Sequence, residues 1–236
     1  MLDVPLQDCT AAPLALAGCE SQIDELRSAG ALFYNRGWSV GTSSNYSLVL
    51  QREPLELLVT ASGMHKGALK RADFVRVRED GQPTVAGQPK SSAETLLHCV
   101  AAKQPGVGAV LHTHSVWGTV LSNHFFEQGG IELSNFEMLK GLSGISTHET
   151  LKWVEIFENT QDIPQLAAKV QRRFEDPDQP LSHGYLIRRH GLYTWGENVD
   201  EARRHIEIFE FLFECLGRQL MLQQAIQPSA ALNTES

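Results

Sequence analysis

The chain has 236 residues, 42% apolar and 20% charged, with a formal net charge of −8, as expected of a globular protein with one large domain or two small ones. Acidic overall and without a long basic run, it is a poor partner for nucleic acid or an anionic membrane, although a local basic pocket for a small phosphate remains open. Cys9, Cys19, Cys99 and Cys215 are scattered without a Cys-x-x-Cys pair, which argues against a disulfide framework or thiolate zinc site and suits a cytoplasmic chain, and no stretch approaches the apolar length of a membrane span.

Residues 1–19 read as a loose lead-in, with Asp3 and Asp8 where a secretory signal carries basic charge. Ser21 is placed to cap a helix with an apolar stripe of Ile23, Leu26, Leu32 and Phe33 that ends at Gly37. The small polar run Gly41-Thr42-Ser43-Ser44-Asn45-Tyr46-Ser47 leads into a strand at Leu48-Val49-Leu50. After the Pro54 turn a second strand, 57–60, runs into Ala61-Ser62-Gly63, and Phe74, Val75 and Val77 mark a third, closed by Asp80-Gly81. Ser91 and Ser92 fall at the start of a helix carrying Leu96, Leu97 and Val100 and ended by Pro105.

Val110-Leu111-His112-Thr113-His114-Ser115 then reads as a buried strand, followed by a short helix packing through Val116, Trp117, Thr119 and Val120. Gly129-Gly130 breaks the chain before Ile131 to Ser134, and Val154 and Ile156 mark another strand. Asp162 and Pro164 open a helix through Phe174. Tyr185-Leu186-Ile187 and 192–196 form a hairpin about His190-Gly191. Asn198 and Glu201 make a capping-box-like start to a long helix through Ile208, Phe209, Leu212, Phe213, Leu216 and Leu220. Phe211 and Cys215 widen its apolar face enough to imply burial against another subunit. Residues 223–236 are polar or small and expected to be disordered. With no repeat or linker, 20–222 reads as a single α/β domain.

Side chains two apart on a strand share a face, so His112 and His114 present their imidazoles together, about 6.5 Å apart at the backbone, within reach of one metal ion. His190, at the end of another apolar strand-like run, is the best third ligand. Thr42-Ser43-Ser44-Asn45, Ser62-Gly63 and Ser91-Ser92 each offer hydroxyls and backbone N–H groups, the last at a helix start where the dipole favours an anion. Any one alone is an ordinary turn or cap. Together, upstream of a histidine pair, they point to a bound phosphate, with Lys66 adding a point charge. Glu94 is either a carboxylate favourably placed at a helix start or a fourth ligand or base. Glu137, among Phe136, Met138 and Leu139, is either an outward glutamate or an acid/base group whose pKa is raised by an apolar setting. His65, His98, His124, His148, His183 and His205 lack partners at ligand spacing and read as structural or exposed.

Thr42-Ser43-Ser44-Asn45-x-Ser47, Ser62-Gly63, Ser91-Ser92-x-Glu94, His112-x-His114 and the late His190-Gly191, in this order, resemble the class II aldolase/adducin family over residues 20–222. The resemblance implies a three-layer α/β/α sandwich on a largely antiparallel or mixed sheet. It also implies a substrate phosphate bound by the first three motifs (Thr42, Ser43, Asn45, Ser62, Gly63, Lys66, Ser91 and Ser92), and Zn2+, or another divalent ion such as Fe2+, bound by His112, His114 and His190. A homo-oligomer, tetramer favoured, is expected. Phe136-Glu137-Met138-Leu139-Lys140-Gly141, Glu158-Asn159-Thr160 and 186–196 are most similar to the branch that removes water from a methylthio-bearing ketose 1-phosphate in methionine salvage. There the glutamate matching Glu137 is the proposed acid/base. Glu94 matches a glutamate that the aldolases use in catalysis, so a sugar-phosphate aldolase or epimerase is the alternative. An adducin-like, non-catalytic interaction domain would be expected to have lost the histidines that are present here.

Overall fold

The structure, a computed structural model, describes residues 14–226; the expectations for 1–13 and 227–236 lie outside the described residues. An eight-stranded sheet runs through the protein, with β1 (Asn45–Gln51), β2 (Glu56–Thr60), β3 (Phe74–Arg78), β4 (Ala109–Thr113), β5 (Gly130–Ser134), β6 (Leu151–Phe157), β7 (Gly184–Ile187) and β8 (Gly191–Gly196) in the order β3-β2-β1-β4-β8-β7-β6-β5. Every neighbouring pair is antiparallel except β6 and β7. The two central strands, β4 and β8, are buried along their whole length, which is why they read as continuous apolar runs.

Alternation along the strands divides the core between two faces. Leu48, Leu58, Ala109, Leu111, Leu186 and Leu192 pack under α1 (Glu20–Asn35), α3 (Val116–His124) and α5 (Val199–Ile226). Leu57, Val59, Val110, Tyr185, Ile187 and Tyr193 pack under α2 (Thr95–Ala102) and α4 (Ile163–Phe174). This is the expected three-layer sandwich with a mixed, mostly antiparallel sheet. Caps follow side-chain chemistry: Asp162 accepts from Gln165 N at 3.0 Å, and Asn198 from Glu201 N at 2.9 Å. Among the described residues, no helix is long and apolar enough to cross a membrane.

Five local expectations are corrected. Cys19, not Ser21, stands at the α1 N-cap; Ser21 lies inside the helix and bonds the side chain of Gln22. Residues 14–19 contribute Leu16 and Cys19 to the core instead of trailing loosely, and 223–226 continue α5. On α3 the buried face is Gly118, Leu121 and Ser122, whereas Val116 is 71% and Val120 53% exposed; on so short a helix the apolar residues do not mark the inward face. The helix after Ser91-Ser92 begins at Thr95, with Glu94 at its N-cap, because Ser91 is still held in a bridge to Ala61.

Candidate metal centre

His112 is the fourth residue of β4, and His114 follows one residue beyond its end, tied by its N–H to Trp38 O at 2.7 Å. His190 arrives from the tight turn between β7 and β8, where Arg189 takes φ 52°. The β8 strand can come this close only because Gly191 follows: a Cβ there would lie 2.0 Å from Thr113 O. Among the described residues, the His/Cys/Asp/Glu cluster able to share an ion is His112, His114 and His190, with ligand nitrogens all within 4.8 Å of one another.

The donor set fits a divalent metal. His112 Nδ1 is 2.9 Å from Leu192 O and must donate to it, which leaves Nε2 with a bare lone pair. That lone pair faces His114 Nε2 at 2.7 Å. Among the described residues, the buried Nδ1 of His190 has no hydrogen-bond partner. Burial, reinforced by the neighbouring histidines, holds the His112 pKa well below the usual value. Burial, then the charges of His190 and Lys66, pushes His114 down to about 3. Neutral imidazoles are the ligand-competent form. Beneath His112, Tyr193 stacks at 4.0 Å between ring centroids and Tyr185 stacks under Tyr193 at 5.0 Å, forming a flat apolar floor.

Glu94 joins this cluster. Although it occupies the α2 N-cap, its side chain makes no capping bond. It turns to the histidines, with Oε1 3.2 Å from His190 Nε2 and Oε2 3.7 Å from His112 Nε2. Asn45 Nδ2 donates to Glu94 Oε2 at 2.8 Å and to Ser92 Oγ at 3.2 Å, and Asn45 Oδ1 contacts His98 Nε2. The Asn45 amide, expected to meet phosphate, is thus engaged on all sides. His98 was expected to be structural or exposed. It is fully buried, its pKa pushed by burial down to about 3. The signal for it was there: Glu94 and His98 are four apart at a helix start, hence on one face.

The three hydroxyl-bearing turns come together at the same end of the sheet. Thr42 and Ser43 lead into β1, and Ser62-Gly63 leaves β2. The third turn is tied to the second by the Ala61–Ser91 bridge and by Ser62 N donating to Lys90 O at 2.9 Å. Lys66 is 1% exposed, with Nζ donating to Met64 O at 2.8 Å. Burial, opposed by the charge of Asp73, draws its ammonium down to about 8.

Glu137 corrects an expectation. Its side chain is 69% exposed, paired with Lys140 and 3.3 Å from His148 Nδ1. The bond from Lys140, outweighing desolvation and joined by the charges of Lys140 and His148, holds its pKa below the usual carboxylate value, not above it. The apolar neighbours Phe136 and Leu139 pack inward and leave the carboxylate outside. Among the described residues it has no hydrogen bond or ion pair to the triad of its own chain.

This combination of mixed-sheet sandwich, three convergent histidines and donor-rich turns defines a metal-site enzyme fold, and residues 24–216 match the Class II Aldolase and Adducin N-terminal domain. The chain belongs to that family. Two relatives named methylthioribulose-1-phosphate dehydratase are each 50% identical to it. The one from Pseudomonas fluorescens (strain Pf0-1) aligns over 197 residues, 83% of this chain and 92% of its own. That from Marinobacter nauticus (strain ATCC 700491 / DSM 11845 / VT8) aligns over 189 residues, 79% and 88%. Among solved structures, L-fuculose-1-phosphate aldolase from Thermus thermophilus shares the fold at TM-score 0.67 and 20% identity, covering 86% of this chain and 98% of its own.

Proposed function

We propose that this chain is a hydro-lyase that converts 5-methylthioribulose 1-phosphate to 2,3-diketo-5-methylthiopentyl 1-phosphate and water, acting in the cytoplasm within methionine salvage, with residues 20–222 as the catalytic unit. The observation that carries the reading is the Glu94 carboxylate set against three convergent imidazoles, in a chain 50% identical to relatives of that name. Atoms balance simply. A proton leaves the carbon beside the ketone, hydroxide leaves the next carbon and takes up a proton, and the resulting enol tautomerises to the second carbonyl.

His112, His114 and His190 hold the metal, Zn2+ first and Fe2+ as the alternative, which when bound supplies Lewis acidity toward the substrate oxygens. Thr42, Ser43, Ser62, Gly63, Ser91 and Ser92 receive the phosphate through hydroxyls and backbone N–H groups, with Asn45 at their inner edge. Buried Lys66 supplies the positive charge, which a low-dielectric setting strengthens. Glu94 fixes the histidines and the reacting end of the substrate. Glu137 is the acid/base; being exposed and away from its own triad, it serves the centre of an adjoining subunit in a homo-oligomer, a tetramer by family preference. The apolar side chains left exposed on α5, Phe211 at 48% and Met221 and Leu222 at 62%, support such an assembly. Incubation with the ketose 1-phosphate tests the reaction: a phosphorylated product lighter by one water is expected, and a three-carbon phosphate plus an aldehyde would instead establish the aldolase alternative.

A further inference from the structure

His98 sits at the inner end of a chain of contacts that the proposed chemistry does not use directly. It is fully buried on α2, four residues past Glu94. Its Nδ1 lies 2.8 Å from Ser47 Oγ and its Nε2 touches Asn45 Oδ1. One assignment of hydrogens satisfies the network. Asn45 gives both amide hydrogens to Glu94 Oε2 and Ser92 Oγ, so its Oδ1 faces His98 and needs a donor there. His98 Nε2 must therefore carry the hydrogen, and Nδ1 accepts the Ser47 hydroxyl. Turning the Asn45 amide over would set its carbonyl oxygen against the Glu94 carboxylate, a repulsion in a buried site, and would require His98 to carry its hydrogen on Nδ1 instead. The network is anchored to the metal strand, because Asn45 pairs with His112 and Ser47 with Val110 across β1 and β4.

We infer that His98 is a positioning residue of the reaction: through its Nε2–H it locks the Asn45 amide, and the amide holds the Glu94 carboxylate against His190 and His112. The inference rests on the proposed role of Glu94 at the metal centre. A histidine that merely filled the core would need satisfied nitrogens and nothing more. Here the Nε2 hydrogen meets the amide oxygen of the residue gripping Glu94, so the ring and the carboxylate hold that amide from opposite ends.

The test uses two polar variants of the full-length protein. In His98→Gln the side-chain amide nitrogen reaches the place of Nε2 and keeps the donor to Asn45. In His98→Asn the shorter amide keeps a partner for Ser47 and loses that donor. Outer partners of metal-site groups are typically worth about 10–100-fold, so His98→Asn is expected to lower kcat by about tenfold or more, with metal stoichiometry unchanged and little change in KM. His98→Gln should stay within about threefold of the parent. In a Glu94→Gln background His98→Asn should cost less than about twofold further, since residues acting through one another are not additive. Crystal structures supply a readout independent of turnover: the Glu94 carboxylate should keep its place in His98→Gln and leave it in His98→Asn. Equal losses in the two variants, losses that follow metal content, or full additivity with Glu94→Gln would overturn the inference. If the parent protein fails to dehydrate the ketose phosphate, the functional reading falls, and the carboxylate's position in the two crystals alone decides the relay; an unmoved Glu94 in both would end it.

Discussion

His112 Nε2 and His114 Nε2 face each other at 2.7 Å. Because His112 Nδ1 already donates to Leu192 O, His114 must donate across this contact when no cation joins the two rings. A divalent ion held by these histidines would remove the need for that shared proton. Replacing His112, His114 or His190 with Ala should therefore reduce bound metal and abolish turnover. Metal analysis by mass spectrometry checks this, and full occupancy in His190→Ala would remove that residue from the site.

In the proposed function the donor-rich turns and buried Lys66 bind the substrate phosphate. A dephosphorylated substrate should show a much higher KM, and Lys66→Met should raise KM for the phosphorylated form while leaving the dephosphorylated one almost unaffected. Equal kinetic constants for both substrates with the parent protein would count against the phosphate site.

Glu137→Gln keeps the side chain's shape but cannot accept a proton. General acid–base catalysis is worth about 10²–10⁴-fold, so its kcat should fall in or above that range with metal retained, while Glu94→Gln should cost less. If Glu137 works across a subunit boundary, mixing and reassembling the inactive Glu137→Gln and His190→Ala proteins should restore part of the activity, because some hybrid sites combine an intact triad with an intact glutamate. Light scattering should report an oligomer at assay concentration. A fully active monomer would defeat both points.

Most of the architecture was legible because β4, β7 and β8 are buried on both faces and read as apolar runs, and because the candidate ligand pair is local, two residues apart at the end of one strand. The Glu137 environment was not legible. Phe136 and Leu139 turn inward while the intervening carboxylate stays out, and a short 3-10 turn, Glu137–Gly141, does not announce its inward face by period. The partners of His98 were not legible for a different reason: Asn45 and Ser47 lie about fifty residues upstream, at |i−j| of 53 and 51, and only the β1–β4 pairing brings that strand alongside His112. Glu94 read ambiguously because a helix-start carboxylate commonly serves as a cap, and only the fold shows it turned away.

The same limit applies to Glu210, a glutamate on α5 that is 2% exposed and pushed by burial up to about 7, despite bonds from Ser115 and Thr113 that oppose the shift. Its ordinary pKa is 4.5, so between pH 4.5 and 7 the unfolded chain has released this proton while the folded chain still holds it. Stability is therefore highest below the unfolded pKa and falls as pH rises through the folded one, by about 3 kcal/mol in all at ~1.4 kcal/mol per unit. Glu210→Gln should remove that slope and make the metal-free protein more stable than the parent at pH 8. Thermal denaturation across the range checks it, and parallel stability curves for the two proteins would refute the assignment.

The central claim is dehydration of a ketose 1-phosphate at a histidine-held metal. Its most direct test is a titration of the metal-free protein with Zn2+ or Fe2+, following both water loss from 5-methylthioribulose 1-phosphate and ions bound. Dehydration should rise linearly and stop rising at one ion per chain, and His114→Ala should abolish the rise. Dehydration at full rate after exhaustive chelation, or a product set from carbon–carbon cleavage at any metal content, would contradict the account.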